Sequence, residues 1–189
     1  KTINNLLEQY SLLTEDQKHK ITNYEKLIKA VNKIKELKQN EIDKAEALKM
    51  DEIINTLPDS ITLDDEQEVL RIKEIYDKLT VNQKIKVSNY SKLKKALETI
   101  EHIKKQNETL EKVIKAIEEL PKEITMQDEG KVHHADALYI VLDEEYQKRV
   151  PNYDKLAQAL DIIRSFDVAV KNVVSKIDSI SSDLTLEDK

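Results

Sequence analysis

The residues with the clearest potential for chemistry are two adjacent histidines, His133 and His134, and the acids beside them. Glu129 precedes His133 by four residues, so the two side chains share one face of a helix, as metal ligands often do. Adjacent histidines, however, point about 100° apart on a helix. No third ligand has a suitable spacing. The pattern favours sequence drift at this place over a metal site, which remains the alternative.

Paired acids are the second candidate, since two carboxylates can divide general acid and general base roles. They are Asp64-Asp65 and Asp143 with Glu144-Glu145. Both groups fall at predicted helix starts, where acids stabilise the positive end of the helix dipole. The sequence has no nucleophile–base arrangement, and its single glycine argues against a phosphate-cradling loop. We therefore expect no catalytic, cofactor-binding or metal site, and no enzyme activity.

Recurrent tyrosines could form a strip that binds sugars or peptides. Tyr76 and Tyr90, however, fall at helical spacing with core leucines, which favours half-buried packing with an exposed hydroxyl. Six of the seven tyrosines occupy two positions of a repeat, and these six are Tyr10, Tyr24, Tyr76, Tyr90, Tyr139 and Tyr153.

The composition favours helices with solvated, charged surfaces. Of 189 residues, 36% are charged and 39% hydrophobic, with one glycine, three prolines and no cysteine. The scarcity of turn residues disfavours sheets, and the absence of cysteine excludes disulfides. Acids and lysines alternate along the chain for a net charge of −6, so no basic stripe for nucleic acid forms. No apolar stretch approaches the ~18 residues of a membrane span.

Three segments align without gaps, and we call them the first, second and third copies. They are YSLLTEDQKHKITNYEKL at 10–27, YDKLTVNQKIKVSNYSKL at 76–93 and YIVLDEEYQKRVPNYDKL at 139–156. Their Asn-Tyr pairs give a period of 66 and then 63 residues. A second block follows each of them, as LPDSITLDD at 57–65, LPKEITMQD at 120–128 and ISSDLTLED at 180–188. Shared order over three copies indicates a tandem repeat.

Helix caps recur with the repeat. Thr62 and Asp65 predict a capping box, and Thr80 with Gln83 predicts another. The pair Thr14 and Gln17 repeats the second of these, while Asp143 takes the cap position in the third copy. The apolar spacing after Thr62 predicts a helix of about 16 residues.

Each of the segments 23–57, 89–120 and 152–180 is predicted to form one long helix, because apolar residues recur every three or four positions. The stripe in the second of these is interrupted at Asn107. The simplest interpretation is that each long helix closes one bundle and opens the next. We therefore expect an all-α fold of tandem three-helix bundles joined by long shared helices, a spectrin-like rod.

The expected domains follow from this interpretation. They are a partial first repeat without its opening helix at 1–46, complete repeats at 47–107 and 108–171, and the start of a fourth at 172–189. The chain is thus expected to be a fragment that begins within a repeat. Without an opening helix, the first repeat should leave apolar side chains uncovered, which would invite fraying or dimerisation at Leu6, Leu7, Leu13 and Val31.

The combination of LPDSIT, the acidic helix start, YDKLT and VSNYSKL resembles a helical repeat of secreted and cell-surface proteins of Gram-positive bacteria. There, similar repeats stand beside adhesive, surface-layer or glycan-degrading domains. The resemblance implies an extracellular stalk that holds another domain of the same parent protein away from the cell wall. The alternative is an adhesin-type module that binds a host protein or glycan through a bundle face. The third copy, with Asp143, Tyr146 and Pro151, departs from the pattern.

Overall fold

The computed structural model describes residues 2–180, and every regular element in this range is helical. The all-α prediction is therefore confirmed. Short 3₁₀ turns at Leu63–Asp65 and Met126–Asp128 precede two of the helices. In chain order the helices are α1 (Thr2–Ser11), α2 (Glu15–Lys18), α3 (Tyr24–Asn55), α4 (Glu66–Asp77), α5 (Val81–Lys84), α6 (Tyr90–Glu118), α7 (Glu129–Tyr139), α8 (Glu144–Gln147) and α9 (Tyr153–Asp178).

The same order of helices recurs three times: an intermediate helix, a single helical turn and a long helix. The intermediate helix α4 has 12 residues, fewer than predicted. At its start, the residues predicted to form the first α-helical turn, Leu63–Asp65, form a 3₁₀ turn instead. After its end, Thr80 adopts an extended backbone (ψ 161°), so α4 does not continue into α5. The predicted start of a fourth repeat lies, from residue 181 onward, outside the described residues.

The three long helices α3, α6 and α9 are confirmed as single helices of 32, 29 and 26 residues. None of them contains glycine or proline, so no intrahelical hydrogen bond is lost to a missing N–H. Pro58 and Pro121 follow the ends of the first two. Each long helix is three residues shorter than the one before it, which is close to one helical turn.

The chain divides into two compact units, Lys1–Ile100 and Glu101–Lys189. The core of the first unit is aliphatic and joins three helices. Each fully buried side chain of this kind contributes about 1.5–3 kcal/mol. Its members come from α3 and the turn after it, from α4 and from α6: Met50, Ile54, Leu57, Val69, Ile72, Leu93 and Ala96.

The core of the second unit uses equivalent positions, displaced by 63 residues along the chain. This core has four further members, of which Leu142 and Val150 come from the turns that flank α8, and Phe166 and Tyr139 pack at its edge. The buried members are Leu110, Val113, Ile117, Leu120, Val132, Ala135, Leu142, Val150, Leu156, Ala159 and Ile163. Helix α6 therefore supplies side chains to both cores, the first through Leu93 and the second through Val113.

One predicted position is wrong. The buried polar residue of α6 is Gln106 and not Asn107. Steps of three and four from Leu93 pass through Ile103, Gln106 and Leu110, so Asn107 lies beside the stripe. Asn107 is half-buried, and its side-chain oxygen accepts a hydrogen bond from Arg149 Nη1 at 3.5 Å.

Candidate functional site

His133 and His134 lie on the exposed side of α7. His133 Nε2 is 3.7 Å from Glu129 Oε1, as the four-residue spacing predicts. Across the part of the chain that the structure describes, no carboxylate pairs with His134 in this way. Among residues 2–180, no three side chains of histidine, aspartate or glutamate come close enough together to hold a metal ion.

Acids at two helix starts form capping boxes, and the one at Thr62 and Asp65 was predicted from the sequence. The Asp65 carboxylate accepts hydrogen bonds from the Thr62 amide at 2.8 Å and from the Thr62 hydroxyl at 3.0 Å. Asp128 accepts from the same two groups of Thr125 at 3.1 and 2.8 Å. These bonds hold the pKa of Asp128 below its ordinary value. Both carboxylates are therefore engaged in fixing the backbone at a helix start.

Asp143 occupies the N-cap position of α8, as predicted, although its side chain makes no cap hydrogen bond. Its carboxylate instead contacts the imidazole Nε2 of His102 at 2.6 Å. The backbone N–H of Asp143 donates to Gln106 Oε1 at 3.0 Å. His102 and Gln106 both lie on α6, so the third copy ties the start of α8 to the long helix.

A substitution in the third copy explains this arrangement. In the first two copies the cap threonine N–H donates to the glutamine three residues later, Gln17 or Gln83, at 2.9 Å. Tyr146 stands at that position in the third copy and offers no amide oxygen. Gln106 supplies the missing acceptor from another helix. The replacement of glutamine by Tyr146 therefore indicated, in the sequence, that the Asp143 N–H needs an acceptor from elsewhere in the chain.

Replacing Gln106 with leucine is expected to destabilise the second unit by about 1–2 kcal/mol, because the partly buried hydrogen bond between Gln106 and the Asp143 N–H is lost. Leucine keeps most of the buried volume, so the loss is that of the hydrogen bond. Urea denaturation of the two proteins measures it. Gln158→Leu, on the exposed surface of α9, is the matched control and should change stability little. Equal effects of the two substitutions would contradict the assignment.

The recurrent tyrosines form three stacked pairs, one in each copy. Tyr76 and Tyr90 have ring centroids 4.5 Å apart with 19° between the planes. The other two pairs are Tyr10 with Tyr24, at 3.7 Å, and Tyr139 with Tyr153, at 4.5 Å.

Each pair joins the end of an intermediate helix to the start of a long helix. Burial and the neighbouring ring raise the pKa of Tyr76 and of Tyr139 above the ordinary tyrosine value. Lys18 Nζ lies 5.9 Å from the ring centroid of Tyr10, and Lys84 Nζ lies 5.3 Å from that of Tyr76. One face of each ring is thus occupied by its partner, which supports the packing interpretation.

Asp51 of α3 caps the start of α6, a role that the sequence did not reveal. Its carboxylate accepts from the Ser88 N–H at 2.9 Å, the Ser88 hydroxyl at 2.7 Å and the Asn89 N–H at 2.8 Å. Ser88 and Asn89, which directly precede α6, therefore act as donors to a carboxylate that lies 37 and 38 residues away in the sequence. Asp51 itself is buried, at 8% exposure.

The third copy changes both sides of this interaction. Ile114 stands at the position of Asp51, and Pro151, which has no N–H, stands at the position of Ser88. Asn152 turns its amide to the Ile114 carbonyl, with Nδ2 donating at 3.3 Å. The Asn152 Oδ1 is buried, and no hydrogen-bond partner for it lies among residues 2–180. The alignment of the copies shows that the residues at the positions of Asp51 and Ser88 change together in the third copy. This joint change is the sequence feature that could have indicated the contact between them.

In the second and third copies, the lysine two residues after the Asn-Tyr tyrosine reaches the end of the preceding long helix. Lys155 Nζ donates to the carbonyls of Glu118 at 3.0 Å and Leu120 at 2.5 Å. Lys92 Nζ lies 3.5 Å from the Asn55 carbonyl. A cation at a helix C-terminus stabilises both the free carbonyls and the dipole. The recurring lysine was the signal, and Lys26 is its equivalent in the first copy.

The first copy exposes an apolar groove of about 560 Å³ between α1 and the start of α3. Of the four residues predicted to be uncovered, Leu6 is exposed and the other three are half-buried. The groove lining includes Ile3, Leu6, Tyr10, Leu13, Leu27 and Ala30.

Within residues 2–180, no helix is both long and apolar enough to cross a membrane. No family model matches the chain, and no curated protein or solved structure is significantly similar to it.

Proposed function

We propose that the chain is a section of a non-catalytic stalk or spacer in an extracellular bacterial surface protein, where it holds a functional domain of the same protein away from the cell wall. In this proposal the repeats are tandem three-helix bundles joined by shared helices, in a spectrin-like rod. The observation that carries this proposal is that the residues shared by the repeats have structural roles. They pack cores, stack tyrosines and cap helices.

The double contribution of α6 supports this proposal. Leu93 and Ala96 belong to the first core, and Val113 and Ile117 belong to the second, with no glycine or proline in the helix. A helix that serves two cores links neighbouring repeats without a flexible linker. The extracellular location rests on the sequence resemblance. An antibody against the repeats should therefore label intact cells of the source organism, and labelling only after lysis would contradict the location.

A stalk must be elongated, and small-angle X-ray scattering of the chain tests this requirement. A compact chain of this length has a radius of gyration of about 16 Å. The proposal requires a value clearly above that, measured in dilute solution where one particle scatters. A value near the compact one would contradict the stalk.

One observation favours the alternative, a binding module. Ile140 and Val141 are 66% and 58% exposed, at positions where the second copy has Asp77 and Lys78. Exposed apolar residues in place of charges are typical of a contact surface. If the chain binds a host matrix protein or glycan, the double substitution Ile140→Asp with Val141→Lys should abolish binding. The control Val81→Asp, at an exposed position of the second copy, should not.

A further inference from the structure

The corner between the intermediate helix and the single-turn helix differs in charge between the second and third copies. Residues 77–86 include three lysines and one acid, and we call them the basic corner. Residues 140–149 include three acids and two basic residues, and we call them the acidic corner. In each corner, a side chain of the single turn donates to a carbonyl at the end of the preceding helix, Lys84 to Asp77 at 2.9 Å and Gln147 to Tyr139 at 3.3 Å.

Each corner also exposes two aliphatic side chains, but at different positions. In the basic corner they are Val81 and Ile85, which are 73% and 76% exposed and lie four residues apart. In the acidic corner they are Ile140 and Val141, directly after α7, at 66% and 58% exposure. We call them the two apolar pairs.

Charged and apolar pairs exchange places between the two corners. Where the acidic corner has its apolar pair, the basic corner has Asp77 and Lys78. Where the basic corner has its apolar pair, the acidic corner has Glu144 and Lys148. All four charged side chains are exposed. The repeat therefore does not require an apolar residue at any of these positions.

The exposure of the two corners does not depend on where the chain begins or ends. The second copy has one copy before it and another after it, and both pairs of its corner are exposed. The acidic corner lies against the beginning of its own unit, where His102 and Gln106 contact Asp143. Neighbouring repeats of a stalk would therefore leave both corners uncovered.

We propose that the basic corner of one chain binds the acidic corner of a second copy of this chain. A local two-fold axis between the corners places each position of one opposite the other position of its partner. The two apolar pairs then contact each other. Lys78 meets Glu144, and Asp77 meets Lys148, so each charge lies opposite one of the other sign.

This contact goes beyond the proposed stalk function and does not depend on the proposed location. It would join stalks side by side, since it uses neither the residues of the two cores nor the ends of the long helices. It would also occupy Ile140 and Val141, so it would compete with the host binding considered above.

We expect the contact to be weak and reversible, because the two apolar pairs are small. Interfaces that bury less than about 1,200 Å² in total are typical of transient complexes. Exposed ion pairs add little affinity and act mainly on orientation. Burial of the apolar pairs must therefore supply most of the binding free energy.

Sedimentation equilibrium of the full chain at concentrations up to about 1 mM tests the contact, and the unaltered chain should associate reversibly. Val81→Glu and Ile140→Asp each introduce the residue that the other copy carries, so neither should disturb the fold. Each should weaken association at least ~10-fold, because it places an unpaired carboxylate against apolar side chains. Circular dichroism checks that both variants keep their helices.

A mixture of these two variants separates the proposed contact from one between identical corners. Val81→Glu blocks the basic corner and leaves the acidic corner intact, whereas Ile140→Asp does the reverse. The mixture should therefore form one-to-one complexes at concentrations where each variant alone is monomeric. A contact between identical corners would instead persist in one of the two variants alone.

Leu48→Glu is the matched control. Leu48 is 64% exposed on α3, and the second unit has Glu111 at the equivalent position. The change therefore replaces an exposed aliphatic side chain with the same acid as Val81→Glu does, but outside the corner. It should change association by less than about twofold.

Charge reversal tests the relative orientation of the two corners. Lys78→Glu and Glu144→Lys should each weaken association at least about twofold, because like charges then face each other. A mixture of the two variants should regain the lost affinity, since the two reversed charges then meet. The weakening should also shrink at high salt, which screens exposed charges.

Four results would overturn the proposal. They are a chain that is monomeric at every concentration, a mixture of Val81→Glu and Ile140→Asp that stays monomeric, and equal weakening by Leu48→Glu and Val81→Glu. The fourth is unweakened association of Ile140→Asp alone, which would place the contact elsewhere, for example at the exposed Leu12 of the first copy.

Discussion

Replacing Ile117 with alanine is expected to lower the free energy of unfolding by about 3–4 kcal/mol, because it removes a fully buried side chain and leaves a cavity. Ile117 is 0% exposed and packs among residues of α6, α7 and α9. Ile54 has the same residue type, repeat position and burial in the first unit. Ile54→Ala should therefore cost about the same amount, as urea denaturation followed by circular dichroism would measure.

The chain contains its own control for this pair. Ile177 is the third isoleucine of the series and is 58% exposed. Ile177→Ala should change stability by less than about 0.5 kcal/mol, because the side chain is already largely in contact with solvent. A loss comparable to that of Ile117→Ala would show that Ile177 is covered within its own chain, contrary to the structure.

Replacing Asp51 with alanine is expected to cost about 3 kcal/mol, since two backbone N–H groups and a hydroxyl lose a charged acceptor together. The Ser88 hydroxyl is only 2.7 Å from the carboxylate. Hydrogen exchange at the start of α6 should rise in the variant, which locates the effect. Glu52→Ala, at the exposed neighbouring position, is the control and should have almost no effect.

The stabilisation by Asp51 has a defined dependence on pH. Burial alone raises the pKa of Asp51, but the hydrogen bonds from the Ser88 hydroxyl and from the Asn89 and Ser88 amides outweigh it, so the pKa lies below its ordinary value. A lowered folded-state pKa stabilises the protein above the unfolded-state pKa of about 4. The stability difference between the native chain and Asp51→Ala should therefore be constant near neutrality and shrink only below about pH 4. Shrinkage that begins well above this value would contradict the lowered pKa.

The third copy suggests a second check on Asp51. Asp51→Ile and Ser88→Pro together reproduce its Ile114 and Pro151. The double variant should be less destabilised than the sum of the two single variants, by about 0.5–3 kcal/mol, because each single change leaves a partner unmatched. Additive losses would show that the two positions do not interact.

Local features of the sequence predicted the helices well. Thr80 with Gln83 fixes the start of α5, and the long apolar stripes without glycine fix α6. These signals lie within a few residues of one another in the sequence, so they can be recognised without knowledge of the tertiary fold. The error at Asn107 arose because buried residues on a helix of 3.6 residues per turn follow one another after either three or four positions. From Ile103, a step of four leads to Asn107, whereas the buried residue is three positions on, at Gln106.

The tertiary polar contacts were not predictable in the same way. His102 and Asp143 are 41 residues apart, and nothing near either residue indicates the other. Asp51 looks like one more acid of a charged helix surface, although it is buried. Only a comparison of copies could have distinguished it, through the joint change to Ile114 and Pro151.

The division of α6 between two cores has a consequence for folding during synthesis. The first core is complete once Ala96 has left the ribosome or an export channel, whereas the second core must wait for Ile163. In the interval, the second half of α6 lacks tertiary support, and an isolated helix of that length is only marginally stable. The repeats would then fold in order from the N-terminus, with one uncovered apolar half-helix always at the emerging end. That half-helix would thus stay exposed to other nascent chains until the next long helix has been synthesised.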